Sequence, residues 1–214
     1  MQHRVRNTVI YVLVAALAFV GTAAAATLLD INGTIKDGEV KIIPQKGQKE
    51  PKLIDPNAGK PIELLVMGQD TRDGADNASI GGGDTSEGSH QADTTMVVQI
   101  SADRSYINLV SIPRDSLVDA PSCETSKGTI SAQYNVMFNS IFANGYTTGD
   151  DLASAASCTV NAVNSLTGLN IQNFIVVDFN GLKDMINAIG GVKICIPSDV
   201  KDPYTGLDLT KGLH

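Results

Sequence analysis

The sequence has no tryptophan, and aromatic residues make up only 5% of its 214 residues. The composition therefore gives no sign of an aromatic platform for stacking nucleobases. Basic residues are also few: 16 Lys and Arg stand against 23 Asp and Glu, for a net charge of −7. Because phosphate backbones are bound by basic surfaces, this balance argues against a nucleic-acid partner.

Cysteine and histidine are equally scarce, with three of each. The cysteines show no Cys-x-x-Cys spacing, so a structural zinc site is not indicated. His90 and His214 stand alone in the sequence, and neither is placed to activate a serine nucleophile such as Ser111. The chain is 43% hydrophobic and 18% charged, which is typical of a folded domain.

Residues 8–29 form an uncharged, mostly apolar run near the start of the chain. About 20 helical residues cross a hydrocarbon core of roughly 30 Å. Arg4 and Arg6 precede the run, which predicts a cytoplasmic tail at 1–7 and an extracytoplasmic remainder. A cleaved signal peptide ending near residues 23–26 is the alternative. We predict a single-pass transmembrane signal-anchor in the cell membrane.

Two stretches rich in β-branched and apolar residues, 93–100 and 106–112, predict a β-hairpin with a polar turn at 101–105. Asp93 enters the first strand, and Arg114 follows the second. In an antiparallel pair these two positions lie at the same end of the sheet. We therefore expect this carboxylate and this guanidinium to be neighbours.

A buried strand predicted at 62–67 runs into Asp70 and Arg72. If it is parallel to the second hairpin strand, these side chains meet Asp93 and Arg114 at one edge of the sheet. Two carboxylates suit Mg²⁺, which commonly bridges them to substrate phosphates. Two arginines suit phosphate oxygens. The residues predict a phosphate or pyrophosphate site with Mg²⁺ on Asp70 and Asp93.

The rest of the chain alternates predicted helices and strands, which indicates an α/β sandwich with helices covering a mixed sheet. An irregular extracytoplasmic linker is predicted at 30–60, with a possible short strand at 39–43. The folded domain is predicted at 61–214. Within it we predict helices at 132–144, 150–166 and 180–189, and strands at 174–179 and 192–196.

Seven short runs occur in the order found in one family. They are Leu64–Arg72, Ala92–Met96, Ser111–Asp115, Met137–Asn139, Leu166–Leu169, Val176–Gly181 and Gly190–Val192. In these residues the chain resembles the LytR-CpsA-Psr cell-wall ligases. The resemblance implies a three-layer α-β-α catalytic domain. The family's later Arg-x-Arg pair would fall shortly after His214, so we expect the domain to be incomplete at its C-terminal end.

The resemblance implies an Mg²⁺-dependent phosphotransferase that moves a glycopolymer from a polyprenyl-pyrophosphate carrier to peptidoglycan. Arg114 and Asp93 would be catalytic. Arg72, Arg114 and Asn139 would bind the pyrophosphate, and Asp115 would hold Arg114 or the loop. A polyprenyl-pyrophosphate hydrolase and a non-catalytic lipid-carrier-binding protein remain alternatives.

Members of the family that look most like this chain are actinobacterial and carry cysteines at comparable places. This favours a disulfide between Cys123 and Cys158 that ties the loop after the Arg114 strand to a helix. The chain also departs from the family. His90-Gln91 stands where an arginine often precedes the Ala-Asp pair, and Met137 stands where a lysine is frequent. Both changes reduce the positive charge expected near a pyrophosphate.

The predicted anchor leads to a test of topology. Residues 61–214 should stay with the membrane fraction and should be digested by protease added to intact protoplasts. The measurement is immunoblotting of fractionated and protease-treated cells. Recovery of the chain as a soluble, protease-protected cytoplasmic protein would contradict the prediction.

Overall fold

The computed structural model describes residues 38–47, 59–73, 77, 90–203 and 206–214. Its central sheet has four strands in the order β3-β2-β1-β8: β1 (Ile62–Asp70), β2 (Gln91–Ile100), β3 (Ile107–Ile112) and β8 (Phe174–Val177). β2 is antiparallel to β1 and to β3, and β1 is parallel to β8. The sheet is therefore mixed, and β1 and β3 run the same way as predicted. The ends of β1, β3 and β8 share one edge with the start of β2.

The other strands form small two-stranded pairs. They are β4 (Leu117–Ala120) with β7 (Gln133–Met137), β5 (Cys123–Glu124) with β6 (Thr129–Ile130), β9 (Cys195–Ile196) with β12 (Gly212–Leu213), and β10 (Val200–Asp202) with β11 (Leu207–Leu209). The helices are α1 (Phe138–Gly149), α2 (Leu152–Thr167) and α3 (Phe179–Ala188).

The core lies between the sheet and the helices α1 and α2. Alternate residues of β1 point into it, and Leu65 and Met67 are fully buried. Phe138 and Phe142 are one helical turn apart on α1 and are also fully buried. Burying side chains of this size contributes about 1.5–3 kcal/mol each, so these contacts fix α1 on the sheet.

Helix α2 begins and ends where the sequence predicts. The Asp151 side chain accepts a hydrogen bond from the Ser154 N–H and caps the helix. Gly168 ends it with φ at 73°, a conformation that glycine adopts without strain. The predicted apolar face is buried through Val163, but Leu166 is exposed.

The disulfide between Cys123 and Cys158 is confirmed. Their Cα atoms are 5.4 Å apart, and 35 residues separate them in the sequence. The bond joins β5 to α2, and closing a loop of this length stabilises the fold by about 3–4 kcal/mol. Cys195, the third cysteine, is an exposed free thiol.

Three secondary-structure predictions were wrong in part. The helix predicted from residue 132 starts at Phe138, because residues 133–137 pair with β4 as a strand. The strand predicted at 192–196 is reduced to Cys195–Ile196. Residues 38–47 contain no strand. Instead, Gln45 is buried, and its side-chain oxygen accepts a hydrogen bond from the Glu124 N–H.

The sheet edges and α3 leave apolar side chains exposed. Ile107 and Leu109 on β3 and Ile175 on β8 are all at least half exposed. None of the ten residues of α3 is buried. The third layer of the predicted sandwich therefore stays a prediction. Among the described residues no helix is long and apolar enough to cross a membrane, and the predicted anchor at 8–29 lies outside them.

Helices α1 and α2 approach closely at Gly145. A methyl group on Gly145 would lie 2.8 Å from the Cα of Ala155 and 2.9 Å from the carbonyl oxygen of Ser154. Gly145→Ala should therefore lower the free energy of unfolding by about 1–3 kcal/mol, measured by urea denaturation. Gly128→Ala is the matched control, because no atom lies within 4 Å of its added methyl group. Equal stabilities of the two variants would contradict the close packing.

Candidate functional site at the edge of the sheet

Asp93 lies in a β-bulge at the start of β2. Gly68 pairs with Thr94 and Gln69 pairs with Ala92, so Asp93 is an extra residue in the ladder. A bulge bends the strand and turns a side chain away from its regular direction. The Asp93 carboxylate is placed in this way at the shared edge of the sheet.

Arg114 pairs with Asp93, as the hairpin predicts. Thr95 pairs with Ile112, and continuing this register by two residues brings Asp93 opposite Arg114. Arg114 Nη1 lies 3.1 Å from Asp93 Oδ2. Arg114 Nε lies 3.7 Å from Asp115 Oδ1, so Asp115 stands on the other side of the same guanidinium. Arg114 is half exposed and leaves donors open to solvent.

The backbone beside Arg114 is fixed by the start of α1. The N–H of Asn139 donates to the carbonyl oxygen of Arg114 at 3.1 Å, and the N–H of Phe138 donates to that of Ser116 at 2.9 Å. Met137 is the N-cap residue and supplies no side-chain cap. The loop after β3 thus satisfies the first N–H groups of the helix, and the helix in turn holds Arg114 in place.

Asn139 joins the cluster through its buried side chain. Its Nδ2 donates to Gln91 Oε1 at 3.2 Å and lies 3.4 Å from Asp93 Oδ1. Both carboxylate oxygens of Asp93 therefore face donors, Arg114 on one and Asn139 on the other. Sequence reasoning missed Gln91, whose only signal was its position directly before Ala92-Asp93.

Asp70 and Arg72 leave β1 at this same edge, where Asp70 pairs with Gln91 in the ladder. The described residues record no hydrogen bond or ion pair from either side chain, so their roles stay predictions. The described residues also contain no group of three or more His, Cys, Asp and Glu side chains that would hold a metal. Mg²⁺ commonly uses one or two carboxylates with water and substrate phosphates, so this donor set fits Mg²⁺.

His90 does not stand alone, contrary to the sequence prediction. Its ring stacks on Tyr146 of α1 with ring centroids 3.8 Å apart and the planes inclined by 10°. Its Nδ1 lies 3.0 Å from Gln69 Nε2, and its Nε2 lies 3.4 Å from Asp73 Oδ2. Burial, and then the charges of Asp73, Asp150 and Asp151, raise the pKa of Tyr146, which keeps the phenol neutral.

The fold and this edge define a class: a mixed α/β domain with a cluster of carboxylate, guanidinium and amide groups suited to a phosphorylated ligand. The model of the LytR_cpsA_psr family matches residues 27–214, and the chain belongs to this family. The resemblance identified from the seven short runs is thereby confirmed.

Curated relatives include two proteins of Corynebacterium glutamicum. The chain is 27% identical to the cell wall biosynthesis protein LcpA over 165 residues and 31% identical to the probable cell wall biosynthesis protein LcpB over 152 residues. These matches cover 70% and 69% of this chain, but only 32% and 31% of the relatives. The chain thus spans about a third of the length of these relatives.

Solved structures share the fold. A Streptococcus agalactiae protein, gbs0355, has 22% identity and a TM-score of 0.54, with 77% of this chain and 51% of that chain covered. The LytR-CPS2A-psr family protein YwtF (TagT), solved with bound octaprenyl pyrophosphate lipid, has 20% identity and a TM-score of 0.53. That match covers 82% of this chain and 60% of the other.

The ion pair between Arg114 and Asp93 is half exposed, so it should contribute little to stability. Arg114→Ala should change the free energy of unfolding by less than about 1 kcal/mol in urea denaturation. Phe142→Ala is the contrasting variant and should cost about 3–5 kcal/mol, because Phe142 is fully buried. A loss of several kcal/mol for Arg114→Ala would mean that the pair is a structural element rather than an available site.

Proposed function

We propose that the full-length protein is a membrane-anchored extracytoplasmic phosphotransferase that moves a glycopolymer from a polyprenyl-pyrophosphate carrier to peptidoglycan. The observation that carries this proposal is the cluster of Asp93, Arg114 and Asn139 at one edge of the sheet. Relatives support the substrate class. TagV of Bacillus subtilis, 27% identical over 155 residues, is named a polyisoprenyl-teichoic acid–peptidoglycan teichoic acid transferase.

The reaction exchanges one phosphorus–oxygen bond for another. A hydroxyl oxygen of peptidoglycan attacks the phosphorus that carries the glycan, and the bond from that phosphorus to the polyprenyl phosphate breaks. The products are a phosphodiester between glycan and peptidoglycan, and polyprenyl phosphate. Negative charge grows on the phosphate oxygens, and the open donors of Arg114 are placed to stabilise it. Asp93 is the carboxylate that the centre of the cluster offers to the hydroxyl proton.

The same proposal includes Mg²⁺, with Asp70 and Asp93 as the protein ligands. When bound, the ion would neutralise charge on the pyrophosphate. Asn139 then orients Asp93 through Oδ1, while Arg114 approaches the phosphate oxygens from the other side. Arg72 leaves the neighbouring strand at the same edge and would supply a second guanidinium to the pyrophosphate.

Gln91 and Met137 give this site fewer positive charges than the family pattern suggests. Asn139 uses one donor on Gln91 Oε1, so the Gln91 amide nitrogen stays available to a neutral acceptor. Met137 is half exposed beside the first residue of α1. The binding of a pyrophosphate therefore depends more heavily on Arg114 and on a bound cation than it would with the arginine and lysine in place.

The anchor and the three-layer sandwich belong to the same proposal. A single membrane span at 8–29 would keep the domain beside its lipid-linked substrate. The exposed apolar residues of α3, Leu182 and Met185, support a further layer against which this helix packs. The membrane, the polyprenyl-linked glycopolymer and peptidoglycan are the partners we infer.

Transfer of a labelled glycan from polyprenyl pyrophosphate to peptidoglycan oligomers tests the assignment in the full-length protein. Arg114→Ala should lower the rate about a hundredfold, because it removes donors that act on the developing charge. Asp93→Ala should lose transfer, and added Mg²⁺ should not restore it. A chelator should abolish transfer by the native protein, and Mg²⁺ should restore it.

Arg104→Ala is the matched control, because Arg104 lies in the turn at the opposite end of the hairpin and bonds to the carbonyl oxygens of Lys60 and Ser101. Its transfer rate should equal that of the native protein. Near-native transfer by folded Arg114→Ala and Asp93→Ala proteins would refute the site. Release of free glycan phosphate without transfer would instead identify a hydrolase, and binding without turnover would identify a carrier-binding protein.

A further inference from the structure

His90 is a largely buried titratable residue that the proposed reaction does not use. Its side chain is 16% exposed, and its backbone φ is 45°. Residues other than glycine rarely adopt positive φ, although histidine is among those that do so more often. Such a conformation persists only where surrounding contacts hold it in place.

Three contacts from different parts of the fold meet on the His90 ring. Gln69 is on β1, Asp73 follows β1, and Tyr146 is on α1. The Asp73 carboxylate accepts only, so the proton is assigned to Nε2, and Nδ1 then accepts from the Gln69 amide. The ring therefore ties the end of β1 to α1 at the position where β2 begins. We refer to His90, Gln69, Asp73 and Tyr146 as the His90 clamp.

The clamp lies on the same helix as the site. Asn139 and Tyr146 are both on α1, about two turns apart, so they project from the same side of the helix. Asn139 contacts Gln91 and Asp93, while Tyr146 contacts His90. The first residues of β2 are thus attached to α1 at two points, and the clamp is the point outside the reacting cluster.

We propose that His90 is a positioning residue for the transfer reaction. By stacking on Tyr146 and bonding to Gln69 and Asp73, it holds the start of β2 against α1, so that Asp93 stays aligned with Asn139 and Arg114. The role in transfer rests on the proposed function. The mechanical role, alignment of β2 on α1, rests on the contacts alone.

The test uses four variants of the full-length protein. His90→Asn removes the ring while keeping a residue that accepts positive φ. Tyr146→Leu removes the other half of the stack, and Tyr146→Phe keeps it. Tyr106→Leu is the matched control, because this exposed tyrosine lies beside the turn at the other end of the hairpin.

We expect His90→Asn and Tyr146→Leu each to lower kcat roughly tenfold to a hundredfold, because a displacement of about 1 Å in a catalytic group costs up to that much. KM for the lipid-linked substrate should change less than threefold. Tyr146→Phe should restore kcat to within about twofold of native, and Tyr106→Leu should match native. The double variant His90→Asn/Tyr146→Leu should be no slower than the slower single variant, because both remove one contact.

Hydrogen exchange of the backbone amides of residues 91–93 provides a readout that needs no turnover. Exchange should be faster in His90→Asn and Tyr146→Leu and unchanged in Tyr146→Phe and Tyr106→Leu. Native-like kcat and exchange in both His90→Asn and Tyr146→Leu would overturn the proposal, as would strictly additive losses in the double variant. If the native protein showed no transfer, the proposed function would fail while the exchange result still decided the clamp.

Discussion

The contact between Arg114 and Asp93 is the constraint on which the rest of this site depends. It requires β2 and β3 to be antiparallel in one register, and it requires the bulge that places Asp93 out of the regular ladder. It also requires α1 to begin at Phe138, because the first N–H groups of that helix hold the carbonyl oxygens of Arg114 and Ser116. A strand, a bulge and a helix start therefore converge on one pair of charges.

The core supplies the stability that this arrangement needs. The pair itself is half exposed and weak, whereas the buried side chains of β1 and α1 and the bond between Cys123 and Cys158 fix the elements around it. Such a division leaves the guanidinium available to a ligand. It also explains why a negatively charged protein can present a site for an anion, since one oriented arginine acts locally while the net charge acts over the whole surface.

Local patterns predicted the parts of the fold that depend on neighbouring residues. The hairpin, the caps of α2 at Asp151 and Gly168, and the approach of Asp93 to Arg114 all follow from periodicity and antiparallel pairing. The strand at 133–137 was missed because its partner, β4, lies before it across an irregular loop, and strand pairing of that kind is not visible in a local window. The contacts of Gln91 and His90 were missed for the same reason, since each depends on a side chain of α1.

The family resemblance supplied what residue chemistry left open, namely the lipid-linked glycopolymer as donor and peptidoglycan as acceptor. The most direct test of the central claim is a crystal structure of the full-length protein with a polyprenyl pyrophosphate. The account predicts that the Arg114 guanidinium lies about 3 Å from phosphate oxygens at the edge formed by the start of β2 and the end of β3. A pyrophosphate bound elsewhere, with Arg114 still paired only to Asp93 and Asp115, would contradict it.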